Sequence, residues 1–83
     1  MEQNLNLYYI FYTVAKCKNI STAAGQLFIS QPAISKSISR LEQSLETKLF
    51  TRSSRGVALT MEGELLFRQV ETAFFAIREG EQQ

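Results

Sequence analysis

Ser30-Gln31-Pro32-Ala33-Ile34-Ser35-Lys36-Ser37-Ile38-Ser39-Arg40-Leu41-Glu42-Gln43-Ser44-Leu45 is the stretch on which the fold turns. Ser30 is a good helix N-cap, and Pro32 stands in the first turn, where no backbone donor is needed. Ile34, Ile38, Leu41 and Leu45 recur at helical spacing. At about 100° per residue these four fall within about 60° of one another. Pro32, Ser35, Lys36, Ser39 and Gln43 spread over about 100° on the far side. The stretch predicts a helix with one wholly apolar face and one built of short hydroxyls, an amide and a cation.

Working outward towards the N-terminus, Ser21 is placed to cap a short helix from Thr22 to about Phe28. Ala23 and Ala24 are small enough to let a neighbouring helix approach closely. Leu27 and Phe28 supply apolar bulk at its end. Earlier still, Leu7, Phe11, Val14 and Ala15 mark one face of a first helix. Asn4 or Asn6 is a candidate cap, and the polar run Lys16 to Asn19 ends the helix. Leu7–Ala15 with Cys17 behind it superficially suggests a secretory signal. Glu2, the lack of a basic residue ahead of the segment, and Lys16 beside the cysteine argue against one, so the segment reads as a mature helix.

Towards the C-terminus the period changes. Leu49–Arg52 and Val57–Thr60 flank Ser53-Ser54-Arg55-Gly56, which reads as a β-hairpin with Gly56 free to take a positive φ. Two strands alone are marginal, so the hairpin must lean on the helices. Thr60 caps a last helix, from Met61 to about Gly80, with Glu62 and Glu64 suited to its positive end. The expected fold is mainly α. A winged helix-turn-helix of three helices plus a hairpin wing occupies residues 1–60, and a long linker or dimerisation helix occupies residues 61–83.

Composition narrows the chemistry. The chain has 83 residues, no histidine and one cysteine. It also lacks aspartate. That inventory removes most general bases, catalytic triads and transition-metal sites, so neither an enzyme nor a metal or cofactor is expected. No stretch approaches the roughly 20 apolar residues needed to span a bilayer. The lone cysteine allows no internal disulfide, which fits a reducing cytosol.

Net charge is only +1. Its arrangement is uneven, at −1 over residues 1–15, +5 over 16–60 and −3 over 61–83. The polar face of the third helix suits base edges and phosphates in a major groove, and Arg52 and Arg55 on the hairpin suit phosphates or a minor groove. Periodicity alone leaves a merely solvated face as an equal reading.

A longer pattern resolves that choice. Ala23-Ala24, Leu27, Ser30-Gln31-Pro32-Ala33-Ile34-Ser35, Ile38, Leu41-Glu42, Leu45, Leu49-Phe50, Arg52, Arg55-Gly56-Val57, Leu59-Thr60 and Gly63 together resemble the N-terminal signature of LysR-type transcriptional regulators. The resemblance spans about residues 5–66 without a gap. It implies sequence-specific binding of a double-stranded operator by a bacterial, cytoplasmic, nucleoid-associated dimer, on an interrupted palindrome. Gln31, Pro32, Ser35 and Lys36 match the family's DNA-facing positions. Ser30 at the helix start and Ser39 on the same face are grouped with them, and Arg52 and Arg55 match wing positions. Ile34, Ile38, Leu41, Leu45, Leu49 and Phe50 match core positions. Three residues depart from the pattern. Glu46 stands where a left-handed glycine is usual, Lys36 where arginine is common, and Glu62 where alanine is usual. The family's longer C-terminal effector domain lies outside this chain, which therefore reads as a fragment without a small-molecule site of its own. Any assembly beyond a dimer would belong to the full-length protein.

The last helix matches the family's linker helix, which pairs two subunits. Leu66, Val70, Ala73 and Ile77 form a stripe about 60° wide, and Phe67 and Phe74 widen it to about 120°. Leu66 and Phe67 are expected to pack on the helix-turn-helix. Val70, Ala73, Phe74 and Ile77 are the expected dimerisation residues, with Ala73, Phe74 and Ile77 facing water in a monomer. Cys17 reads as helix-end packing rather than a redox sensor, since no second cysteine could resolve it. Tyr8, Tyr9 and Tyr12 read as packing groups rather than base-stacking ones. A protein-docking module on the same scaffold is the competing reading. Titrating duplex DNA at two salt concentrations separates the two.

Overall fold

In a computed structural model, which describes residues 4–82, helix α1 (Asn4–Cys17) is the element on which the others pack. It is followed by α2 (Ile20–Leu27), α3 (Gln31–Leu45), β1 (Phe50–Ser53), β2 (Gly56–Leu59) and α4 (Met61–Glu81). β1 and β2 pair antiparallel, with Phe50 opposite Leu59 and Ser53 opposite Gly56. This is the three-helix, winged arrangement with a long final helix that the periodicity predicts. The wing's strands lie one residue away from the expected runs, because only Ser54 and Arg55 form the turn.

The caps show which local signals were sufficient. The Ser30 hydroxyl accepts from Ala33 N at 3.2 Å, and the Thr60 hydroxyl accepts from Gly63 N at 2.9 Å. The start of α2 differs from the expectation. Asn19, not Ser21, is its cap, with an extended backbone and a side chain that accepts from Thr22 N at 2.9 Å. Lys18 takes a left-handed conformation at φ 59° and ends α1 there, so the chain re-enters a helix two residues sooner. Asn6 lies inside α1 rather than capping it, and the side chain of Asn4 lies outside what is described.

Phe11, Val14, Ile34, Leu41 and Leu49 form the fully buried centre, joined by Ala23 of α2. Phe11 meets Phe50 at a ring-centroid distance of 5.4 Å, which joins α1 to the wing. Cys17 is half-buried against this core. Leu27 packs on it as expected, but Phe28 does not. Phe28 takes a left-handed conformation at φ 59°, swings out of the helix line and stands 92 % exposed.

Glu46 ends α3 in a left-handed conformation at φ 57°. Its N–H donates to Gln43 O at 3.2 Å and the Thr47 N–H donates to Glu42 O at 3.1 Å, the paired bonds of a Schellman cap. The turn therefore keeps the geometry usual with glycine, and the glutamate bears the steric cost of its β-carbon. Replacing it relieves that cost. Glu46→Gly is expected to stabilise the domain by about 1 kcal/mol. In thermal unfolding followed by circular dichroism, that corresponds to a rise of about 4–8 °C.

Candidate nucleic-acid interface

α3 turns Ile34, Ile38 and Leu41 into the core and leaves its opposite face open. Ser30, Gln31, Pro32, Lys36 and Ser39 are exposed, and Ser35 is half-buried. Ser30 serves the helix as its cap, yet its hydroxyl proton remains available to an external acceptor. Across from this face, Arg52 is exposed on β1 opposite Val57, and Arg55 is exposed in the turn. Ser39, Glu42, Lys48 and Arg52 line one groove between α3 and β1, which brings the helix's polar face and the base of the wing together. Arg55, at the hairpin tip, does not line that groove.

The two acidic residues of the basic middle segment sit where they do not oppose an anion at the helix start. Glu42 is 12 % exposed at its side chain, and one oxygen accepts from Leu49 N at 2.8 Å and Phe50 N at 3.3 Å. Its other oxygen lies 3.7 Å from Lys48 Nζ, which is 83 % exposed, so this ion pair contributes little beyond the backbone bonds. Glu46 is at the far end of α3, about 20 Å from its N-terminus at 1.5 Å per residue. Lys36, Arg52 and Arg55 are all exposed, and Lys48 lines the groove together with Arg52.

The wing is held by backbone contacts as well as by the core. Val57 N donates to Lys18 O at 3.2 Å. Gly56, at φ 125°, lies so close to that carbonyl that a β-carbon would collide with Lys18 O.

Residues 5–64 match the family model described as bacterial regulatory helix-turn-helix protein, lysR family. The chain belongs to that family. Among its relatives, the uncharacterized HTH-type transcriptional regulator YoaU of Bacillus subtilis (strain 168) is 47 % identical over 75 residues, covering 86 % of this chain and 26 % of the relative. Two structures solved with DNA superpose closely on the chain. The CbnR_DBD–DNA complex has a TM-score of 0.83 at 32 % identity, covering 94 % of this chain and 91 % of that one. The BenM_DBD/benA site 1 DNA complex has a TM-score of 0.87 at 28 % identity, with 94 % and 91 % covered. The chain spans about a quarter of the length of the curated relatives it matches. The family is one of bacterial regulatory proteins.

In this lysR-family chain, the last helix departs in part from expectation. Leu66 and Phe67 pack against the core as expected. The covered stretch runs further, however. Val70 is 7 % exposed and belongs to the chain's own core. Phe74 is half-buried, its ring 5.7 Å from Tyr9 and 5.5 Å from Tyr12, both edge-on. Tyr12 also stacks on Phe67 at 5.3 Å. The reach of these tyrosines from α1 carries the internal seam about two turns beyond Phe67. Ala73 and Ile77 stay exposed, and Leu65 and Phe75 are open as well. Leu5, Tyr8, Leu66, Val70, Ala73 and Phe74 line an almost wholly apolar groove between α1 and α4. No helix among the described residues is long and apolar enough to cross a membrane.

Sequence reasoning missed the carboxylate of Glu42 as the anchor of the wing. A Leu-Glu pair in the pattern was its only trace, since the bonded amides lie seven and eight residues away. It also missed the close approach at Gly56. Gly56→Ala is expected to cost about 1–3 kcal/mol, because strained φ and a backbone collision must both be relieved. Chemical denaturation would show the loss as a lower midpoint with an unchanged slope.

Proposed function

We propose that this chain is the DNA-reading head of a bacterial transcription regulator. α3 lies in the major groove through Ser30, Gln31, Pro32, Ser35, Lys36 and Ser39. Arg52 and Arg55 meet the backbone or minor groove. The reading rests above all on the open polar face of α3, facing the same side as a cationic wing. Close structural likeness to two domains solved with DNA supports it. Residues 1–60 act as the winged helix-turn-helix and residues 61–83 as the linker helix, in the cytoplasm. No cofactor enters this function.

The reader acts as a homodimer. The apolar groove of α1 and α4, with Ala73 and Ile77 beside it, remains uncovered in the single chain. A twofold contact is self-complementary, so the same surface on a second copy covers it. Two heads then meet an interrupted palindrome about one helical turn or slightly more apart.

Two sets of variants test the reading. Ser35→Ala and Pro32→Ala are expected to change base preference, at about 1–3 kcal/mol for each base-specific interaction removed. Arg55→Ala weakens binding to every sequence and reduces the salt slope by about one unit if it neutralises one phosphate. Duplex titrations at two salt concentrations measure both. Salt-independent binding, or a Ser35→Ala variant with unchanged affinity and preference, would favour a protein-docking module instead.

The dimer is tested at its open residues. Ala73→Glu places two like charges near each other across the contact, costing several kcal/mol, about 3–5 when a buried charge is left uncompensated. Ala73→Glu and Ile77→Asp are expected to give helical monomers with much weaker operator binding, seen by sedimentation and circular dichroism. A variant that remains dimeric would place the interface elsewhere.

A further inference from the structure

Four hydrogen bonds converge on the short backbone segment Lys48–Phe50. Glu42 of α3 holds its amides, through Leu49 N at 2.8 Å and Phe50 N at 3.3 Å. Thr60, the cap of α4, holds its carbonyls. The Thr60 N–H donates to Leu49 O at 2.9 Å, and the Thr60 hydroxyl donates to Lys48 O at 2.7 Å. The same hydroxyl oxygen accepts from Gly63 N, and Gly63 packs against Leu49 O so tightly that no β-carbon fits between them. Leu49 itself is 1 % exposed, so the segment is anchored in the core. α3 and α4 have little direct contact with each other, and both rest on α1.

The direction of α4 relative to α3 therefore has two sources. Apolar packing on α1 is non-directional and tolerates sliding. The bonds at Lys48–Phe50 are directional and weaken steeply when bent. They act at the base of α4, where a small rotation becomes a large displacement further along the helix.

We propose that Thr60 and Glu42 are positioning residues for spacing recognition. Together they lock α4 to α3 through the Lys48–Phe50 backbone, and the lock sets which separation of two half-sites the paired chain accepts. This rests on the dimeric reading above. One base pair of added spacing moves a half-site by about 3.4 Å and rotates it by about 35°. A rigid lock cannot follow that change, whereas a loosened one can.

The test uses the 83-residue chain and palindromic duplexes built from a half-site selected out of a randomised pool, with the central spacing changed one base pair at a time. The wild-type chain is expected to lose about tenfold or more in affinity per base pair away from its optimum, as strained docking of two linked sites requires. Thr60→Val removes both the donor to Lys48 O and the acceptor for Gly63 N. It is expected to flatten that discrimination to below about threefold, with single-half-site affinity within about twofold of wild type. Thr60→Ser keeps the hydroxyl and should restore the discrimination, which a loss of stability alone would not predict. Glu42→Gln keeps an oxygen acceptor but removes its charge, so it should flatten the discrimination partially, and it carries the test if Thr60→Val does not fold. A helical, dimeric Thr60→Val chain that discriminates spacing as sharply as wild type overturns the proposal. A wild-type chain that sediments as a monomer on DNA and ignores spacing overturns the dimeric reading and this proposal together.

Discussion

The rest of the molecule depends on how the chain leaves its polar-faced helix. After Glu46 turns it in a left-handed conformation, the backbone at Leu49 and Phe50 passes through the interior, where unpaired amides would be costly. Glu42 meets both with one carboxylate oxygen. Hydrogen bonds to a charged acceptor are stronger than neutral ones, so a single side chain can hold the start of the wing. From this point β1 runs outward, β2 returns to pair with it, and Thr60 closes the circuit onto the same segment. α3, the wing beside it and α4 are joined within a few residues of backbone.

Helix α1 supplies what hydrogen bonds cannot, a common apolar bed. Phe11 and Val14 are fully buried beneath α3 and the wing, while Tyr9 and Tyr12 reach the other way to Phe74 and Phe67. A chain this short buries a modest share of its surface, so these large rings matter out of proportion to their number. Their reach also decides where the internal core stops and the open surface of α4 begins. Ile77, 49 % exposed, lies beyond it.

Weak overall charge is compatible with nucleic-acid recognition because the charges are sorted. Most acidic residues lie in α4, where Glu64, in the first turn, still borders β2. Of the two in the basic segment, Glu42 is occupied internally and Glu46 stands at the far end of α3. Lys36, Lys48, Arg52 and Arg55 stay exposed. A surface sorted in this way attracts phosphates locally even when the molecule as a whole is nearly neutral.

The sequence by itself determined the features whose partners are close along the chain. Ser30 and Thr60 bond amides three residues ahead, so their caps follow from local spacing. The apolar stripe of α3 follows from helical periodicity as far as Leu41, and with it the identity of the polar face, whereas Leu45, the fourth of the stripe, is 38 % exposed at the helix end. Choices among competing partners were decided by the tertiary structure. Asn19 prevails over Ser21 as a cap because Lys18 ends α1 where it does. Phe28, apolar in the pattern, stands outside because a left-handed turn carries it there. Glu42 finds amides across a turn, and Phe74 finds rings more than sixty residues earlier in the chain. Periodicity tells which side of a helix avoids water, but several surfaces can meet that need, and only three-dimensional packing selects the one that does.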